Sequence, residues 1–206
     1  MIEAFLTGAV AGYGIAIPVG AIALLIVETG MRCGLRCALF AGTGAATADL
    51  LYASVAVGGG AALPAAVESV EAPLAYLSGA VLAVIALSGL RRVRRDRLVP
   101  ARVDLPDRSD LIGTYARFLG LTIINPITIV YFAAFVVGLG LADGLSAAGG
   151  AAFAGGAFLA SLSWQMLLAA VGAIAGHRLS ARVRAGTIVV GNLIVLGMAV
   201  TIVVVR

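Results

Sequence analysis

The chain has 206 residues, 62% of them hydrophobic and 12% charged, with a formal net charge of +4; a soluble domain carries roughly 45–50% and about 25%. So few charges cannot cover a water-facing surface, and a mean hydropathy of +1.11 makes lipid the solvent for most of it. Those figures exclude a soluble enzyme, a nucleic-acid binder and a disordered linker.

A hydrocarbon core about 30 Å thick takes about 20 helical residues, and six segments qualify, approximately Ala4–Val27, Leu35–Val57, Pro73–Leu90, Gly113–Leu141, Ala147–Ala175 and Val183–Val205. None shows the strict alternation of a closed barrel, so the fold class is all-α, a polytopic membrane helix bundle. The N-terminal Met-Ile-Glu lacks a basic region like that of a signal peptide, so the first span is expected to be retained.

The first span carries Ile15-Ala-Ile-Pro-Val-Gly20 near its middle, where Pro18 removes a helical N–H and should kink or unwind the helix. The connector after it holds Cys33 and Cys37. Their C-x₃-C spacing is not the C-x₂-C of a redox pair, and no neighbouring ligand completes a metal site, so they read as ordinary reduced thiols. In the second span Asp49 is the sole acidic residue deep within an apolar run. A carboxylate there costs at least about 2.5 kcal/mol and by default marks a functional site. It could pair with a cationic substrate; because desolvation disfavours a bare carboxylate, it could instead carry a coupling proton. Tyr52, one turn on, could hold or gate it.

The third connector concentrates 7 of the 14 arginines between Arg91 and Arg108, and the chain has no Lys. This stretch, with Pro100 and Pro106, reads as a solvated connector between halves. The fourth span repeats the proline break in Ile123-Ile-Asn-Pro-Ile-Thr128. There Asn125 could bind substrate or the carbonyls freed around Pro126, and Tyr131 lies in mid-span rather than at an interface. In the fifth span Ser161, Trp164 and Gln165 share a helix face at i, i+3 and i+4. A Trp there can pack a core or meet a cation, whereas Gln165, like Asn192 in the sixth span, must join helices or face a wet cavity.

Odd-numbered connectors hold the arginines and even-numbered ones hold none, which places odd connectors in the cytoplasm and both termini outside. A five-span arrangement with one re-entrant run would change the N-terminal side. Cutting at the basic connector, about 91–112, leaves repeats of about 1–90 and 113–206 within a single transporter domain. Three spans per repeat force a 3+3 inverted arrangement, with a site at the midplane where broken helices meet. Small-x₃-small faces such as Gly8 with Gly12 and Gly172 with Gly176 indicate close helix packing, compatible with a homodimer. No catalytic set, nucleotide loop or zinc motif occurs; no cofactor, metal or nucleic acid is expected, and transport would draw on an ion gradient or a separate partner subunit.

Several landmarks together are familiar: the broken first span followed by Glu28-Thr-Gly30, then Gly44-Ala-Ala-Thr-Ala-Asp-Leu-Leu-Tyr52, Asn125-Pro126, and Phe153-Ala-Gly-Gly-Ala-Phe-Leu-Ala-Ser161 with Trp164. In order and spacing they resemble the LysE/RhtB amino-acid exporter family over nearly the whole chain. The resemblance implies a multi-pass exporter of basic or small polar amino acids in a bacterial inner membrane, proton-driven, and Asp49 stands where the basic-amino-acid branch carries an Asp. One departure is that Ala21 follows Pro18-Val-Gly20 where members commonly have a second proline, which should leave this break more helical. The leading expectation is amino-acid export through a site including Pro18, Gly20, Asp49, Asn125 and Tyr131. The alternatives are an inorganic-cation transporter using Asp49 and Asn125 oxygens and, much less in keeping with the cysteine positions, a thiol-electron carrier.

Overall fold

The computed structural model describes residues 1–18, 20–59, 63–96, 108–125, 128, 131 and 145–204. Among these the chain is all-helical, with α1 (Ile2–Ala16), α2 (Ala21–Cys33), α3 (Leu35–Gly59), α4 (Leu63–Asp96), α5 (Arg108–Ile123), α6 (Ala147–Arg178) and α7 (Ala181–Val204). Leu35–Gly58, Ala147–Arg178 and Arg182–Ile202 are each long and apolar enough to cross a bilayer, and α1 with α2 passes as one broken span. The chain is a multi-pass membrane protein. The apolar part of α4, Ala75–Arg91, is shorter, and beyond α5 most of the expected fourth span lies outside the described residues.

The expected break at Pro18 is present, and it is sharper than the Ala21 substitution suggested: α1 and α2 are bent by 77° across it. Pro18 stops the helix by itself, and Gly20 is extended at φ −104°, ψ −175° before α2 restarts. Ala21 occupies the first helical position, where a missing proline costs nothing because that N–H has no intrahelical partner anyway.

Two connectors are shorter than expected. Glu68 and Glu71 fall within α4, which also runs through Pro73 and on from Arg91 to Asp96; Ala, Leu, Glu and Arg are strong helix formers, and they extend the helix beyond the apolar stretch. The cysteines also depart from expectation. Gly34, at φ +87°, ends α2 and α3 starts at the next residue. The turn brings the Cα atoms of Cys33 and Cys37 to 5.8 Å, and the two sulfurs are joined as a disulfide.

Helix α6 lies at the centre of the packing, against α1, α2 and α3; α3 also meets α5, and α4 pairs with α7. Glycines make these approaches possible. A Cβ on Gly8 or Gly12 of α1 would collide with the backbone of Phe153 or Ala157, and one on Gly172 or Gly176 of α6 would collide with that of Val27 or Met31. The small-residue faces noted in the sequence are therefore the α1–α6 and α2–α6 seams. Leu159, Val171 and Ile174 of α6 and Val190, Leu193 and Val200 of α7 are exposed, as expected of surfaces that meet acyl chains.

Candidate functional site

Asp49 sits on the α3 face whose neighbours Ala45, Ala46, Ala48 and Ala53 are all fully buried. The small side chains let α3 press against α6 and leave the carboxylate only 4% exposed. It does not lie there alone: Ser161 Oγ donates a hydrogen bond to Asp49 Oδ2 at 2.5 Å from the facing wall of α6. A charge-assisted bond of this kind contributes about 1.5–3 kcal/mol and fixes the rotamer of the acid.

Beside this pair is a cavity of about 260 Å³, far larger than the about 10–15 Å³ needed for one water and near the lower end of the roughly 300–1,000 Å³ typical of small-molecule sites. Of the residues singled out in the sequence, Pro18, Gly20, Asp49, Asn125, Tyr131 and Gln165 line it. Both broken spans thus reach one cavity. Its wall also includes Ala21, Ile22 and Ala23, the first turn of α2. Gly20 supplies no side-chain cap, and the first backbone bond of that turn runs from Leu24 N–H to the Gly20 carbonyl at 3.2 Å. The amides before it belong to a helix N-terminus, a region of positive potential suited to an anion.

The Gln165 amide is buried, and its Oε1 accepts no hydrogen bond among the described residues; of the two options open in the sequence, it faces the cavity. Asn192 joins helices: its Nδ2 donates to Glu28 Oε2 of α2 at 2.6 Å, and it also lines a second cavity. Trp164 is outside the cavity wall although it shares a turn with Gln165. A step of one residue rotates a helix by about 100°, enough to leave Trp164 half-buried.

Tyr52 is likewise outside the wall. It ties the site to α5, donating its hydroxyl proton to the carbonyl of Ile123, the last residue of α5. That carbonyl is one of the four a helix end leaves unpaired, and in hydrocarbon it needs a partner. Tyr52→Phe is expected to lower thermal stability by about 1 kcal/mol, as thermal melting would show. Pro126 lies outside the described residues.

Sequence reading missed Ser78 and Thr122, which add buried hydroxyls to the wall. A Ser or Thr in an apolar span gives little signal, because it can satisfy itself on its own helix, as Thr122 does on the Phe118 carbonyl at 2.9 Å. No curated protein and no solved structure is matched by the chain. Residues 14–205 match the family model described as LysE type translocator, a stretch that includes every wall of the cavity, and the chain belongs to that family.

Proposed function

We propose that this translocator exports amino acids, using the Asp49 cavity as its transport site and the proton gradient as its driving force. The observation that carries the reading is the pairing, in one cavity, of a carboxylate with the unpaired N-terminus of a broken helix. An amino acid is a zwitterion with charges of both signs on one carbon. Its carboxylate suits the amides of the first α2 turn, and its ammonium suits Asp49 with the Gln165 Oε1 acceptor. A basic or polar side chain would then meet Asn125, Tyr131 and the hydroxyls of Ser78 and Thr122. An inorganic cation, the alternative, could use the Asp49 and Asn125 oxygens but would be repelled by the α2 N-terminus.

The architecture that suits this activity is a single domain over 1–206, built as two three-span repeats of opposite orientation, with α1–α2 and the 113–141 span as the broken members. Arginine placement supports odd connectors and the basic 91–112 segment inside the cell, in a bacterial inner membrane. Asp49, the one acidic residue on the cavity wall among the described residues, serves as the proton carrier when it is not paired with substrate. The test is export from cells loaded with L-lysine, L-arginine, L-threonine or L-homoserine. Overproduction of the chain is expected to lower the internal level of at least one of them several-fold, and a protonophore to cancel that effect. Equal retention of all four, together with a metal-tolerance phenotype, would establish the inorganic-cation reading instead.

A further inference from the structure

A second cavity, of about 220 Å³, lies along four of the helices that line the first, α2, α4, α5 and α7. It is displaced toward their arginine-bearing ends by about two helical turns, roughly 10 Å: Ile85, Ser88 and Gly89 follow Ser78 and Leu82 on α4, and Thr114, Arg117 and Phe118 precede Leu121 and Thr122 on α5. Between the two cavities stand Leu25, Leu82, Phe118, Leu121 and Val195, all at most 6% exposed and packed in one cluster. A packed apolar layer therefore separates the two chambers.

The second chamber brings together Glu28, Arg32 and Arg117, whereas the first is lined mostly by apolar residues around Asp49. Glu28 Oε1 accepts from Arg32 Nε at 2.7 Å, and its other oxygen accepts from Asn192 Nδ2 at 2.6 Å. Arg32 Nη2 also reaches the Gly89 carbonyl at 3.3 Å, and Arg117 lines the same space. Asn192 is 1% exposed, and its Oδ1 accepts no hydrogen bond among the described residues. A Cβ at residue 89 would overlap the Asn192 amide, so the glycine makes room for that group. Glu28 and Arg32 are on the same helix, and their ion pair therefore ties no two helices together. A largely buried pair gains little over an apolar replacement as a source of stability. Its chemistry is nonetheless that of a site for a ligand bearing both signs of charge.

We propose that this chamber is a second binding site for the zwitterionic head of an amino acid, occupied before the substrate passes the apolar layer to Asp49. The substrate carboxylate takes the place of Glu28 at Arg32, with Arg117 beside it. The substrate ammonium takes the place of Arg32 at Glu28 and bonds Asn192 Oδ1. Only the groups common to all amino acids are read here, and the side chain is read in the first cavity, by Asn125, Tyr131, Ser78 and Thr122. The proposal rests on the amino-acid reading of the first cavity, and its test separates the two.

Purified protein in lipid nanodiscs is titrated to saturation with tritiated L-lysine, L-threonine and L-leucine. The amino acid that binds is expected to reach two molecules per chain in the wild type, and one in either Asp49→Asn or Glu28→Gln. The wild-type stoichiometry is read without a variant, so a fold defect in Glu28→Gln does not spoil the test. One molecule per chain in the wild type, lost in Asp49→Asn, overturns the second site and leaves the first in place. Binding of none of the three to the wild type overturns both.

Discussion

Asp49→Asn is expected to reduce amino-acid export by roughly two orders of magnitude while the protein remains folded. Asn has nearly the same shape and can still accept the Ser161 hydrogen bond, now 2.5 Å from Oδ2, so the α3–α6 contact survives. What it cannot do is offset a buried ammonium or carry a proton. Removing one partner of a buried charge pair costs about 3–5 kcal/mol, and each ~1.4 kcal/mol is a factor of ten in affinity. Stability should move the other way or not at all, because a carboxylate in hydrocarbon is unfavourable by at least about 2.5 kcal/mol. The check is efflux from preloaded cells beside thermal melting of the purified variant. Full efflux from Asp49→Asn would take the residue out of the mechanism. Ser161→Ala should fall between the two, since it leaves the charge and loses one hydrogen bond.

The difference between what was legible in the sequence and what was not follows from how each signal arises. Asp49 stood out because a charge in an apolar run is expensive whatever surrounds it, and Pro18 because proline breaks a helix from within. Gly20, Asn125, Tyr131 and Gln165 were legible as polar or flexible groups near those breaks, and the fold brings them to one wall. The Ser161 contact depended on which faces of α3 and α6 meet, a matter of tertiary packing between residues 112 apart in the chain. The partner of the Tyr52 hydroxyl was hidden for the same reason: its spacing from Asp49 is that of a neighbour, but that the hydroxyl also meets a carbonyl at the end of α5 depends on packing.

The ends of α4 and the Glu28 cluster were harder still to see. Hydropathy marks where a chain can sit in lipid, whereas backbone hydrogen bonding continues a helix into water as long as the residues favour it, as Arg91–Asp96 do. Glu28 and Arg32 lie near the end of an apolar span, where charges are ordinary. Nothing local reveals that Asn192, 164 residues later, donates to that carboxylate. The Ala21 departure suggested a straighter span because it was read against a pattern of two prolines. One proline and one extended glycine proved enough for a 77° bend.

The largest expected loss of stability comes from Gly156→Leu, with Gly155→Leu as its control. Residue 156 faces α1 so closely that even a Cβ would run into the Phe5 carbonyl and the Ala9 amide nitrogen, whereas a Cβ on residue 155 meets nothing within 4 Å. The obstacle at 156 is backbone, which cannot turn aside as a side chain can. The helices must separate, and α1 loses its seam with α6 from Gly8 to Gly12. Overpacking of this kind costs about 3 kcal/mol, the upper part of the usual range, against about 0.5 kcal/mol or less for a substitution that touches nothing. Melting in detergent should show Gly156→Leu unfolding many degrees below the wild type and Gly155→Leu close to it. Export should follow the same order, because α6 carries Ser161 and Gln165 while α1 leads into the Pro18 break, and the cavity exists only while the two are held together. Similar melting of both variants would mean that the α1–α6 seam has slack and does not position the site.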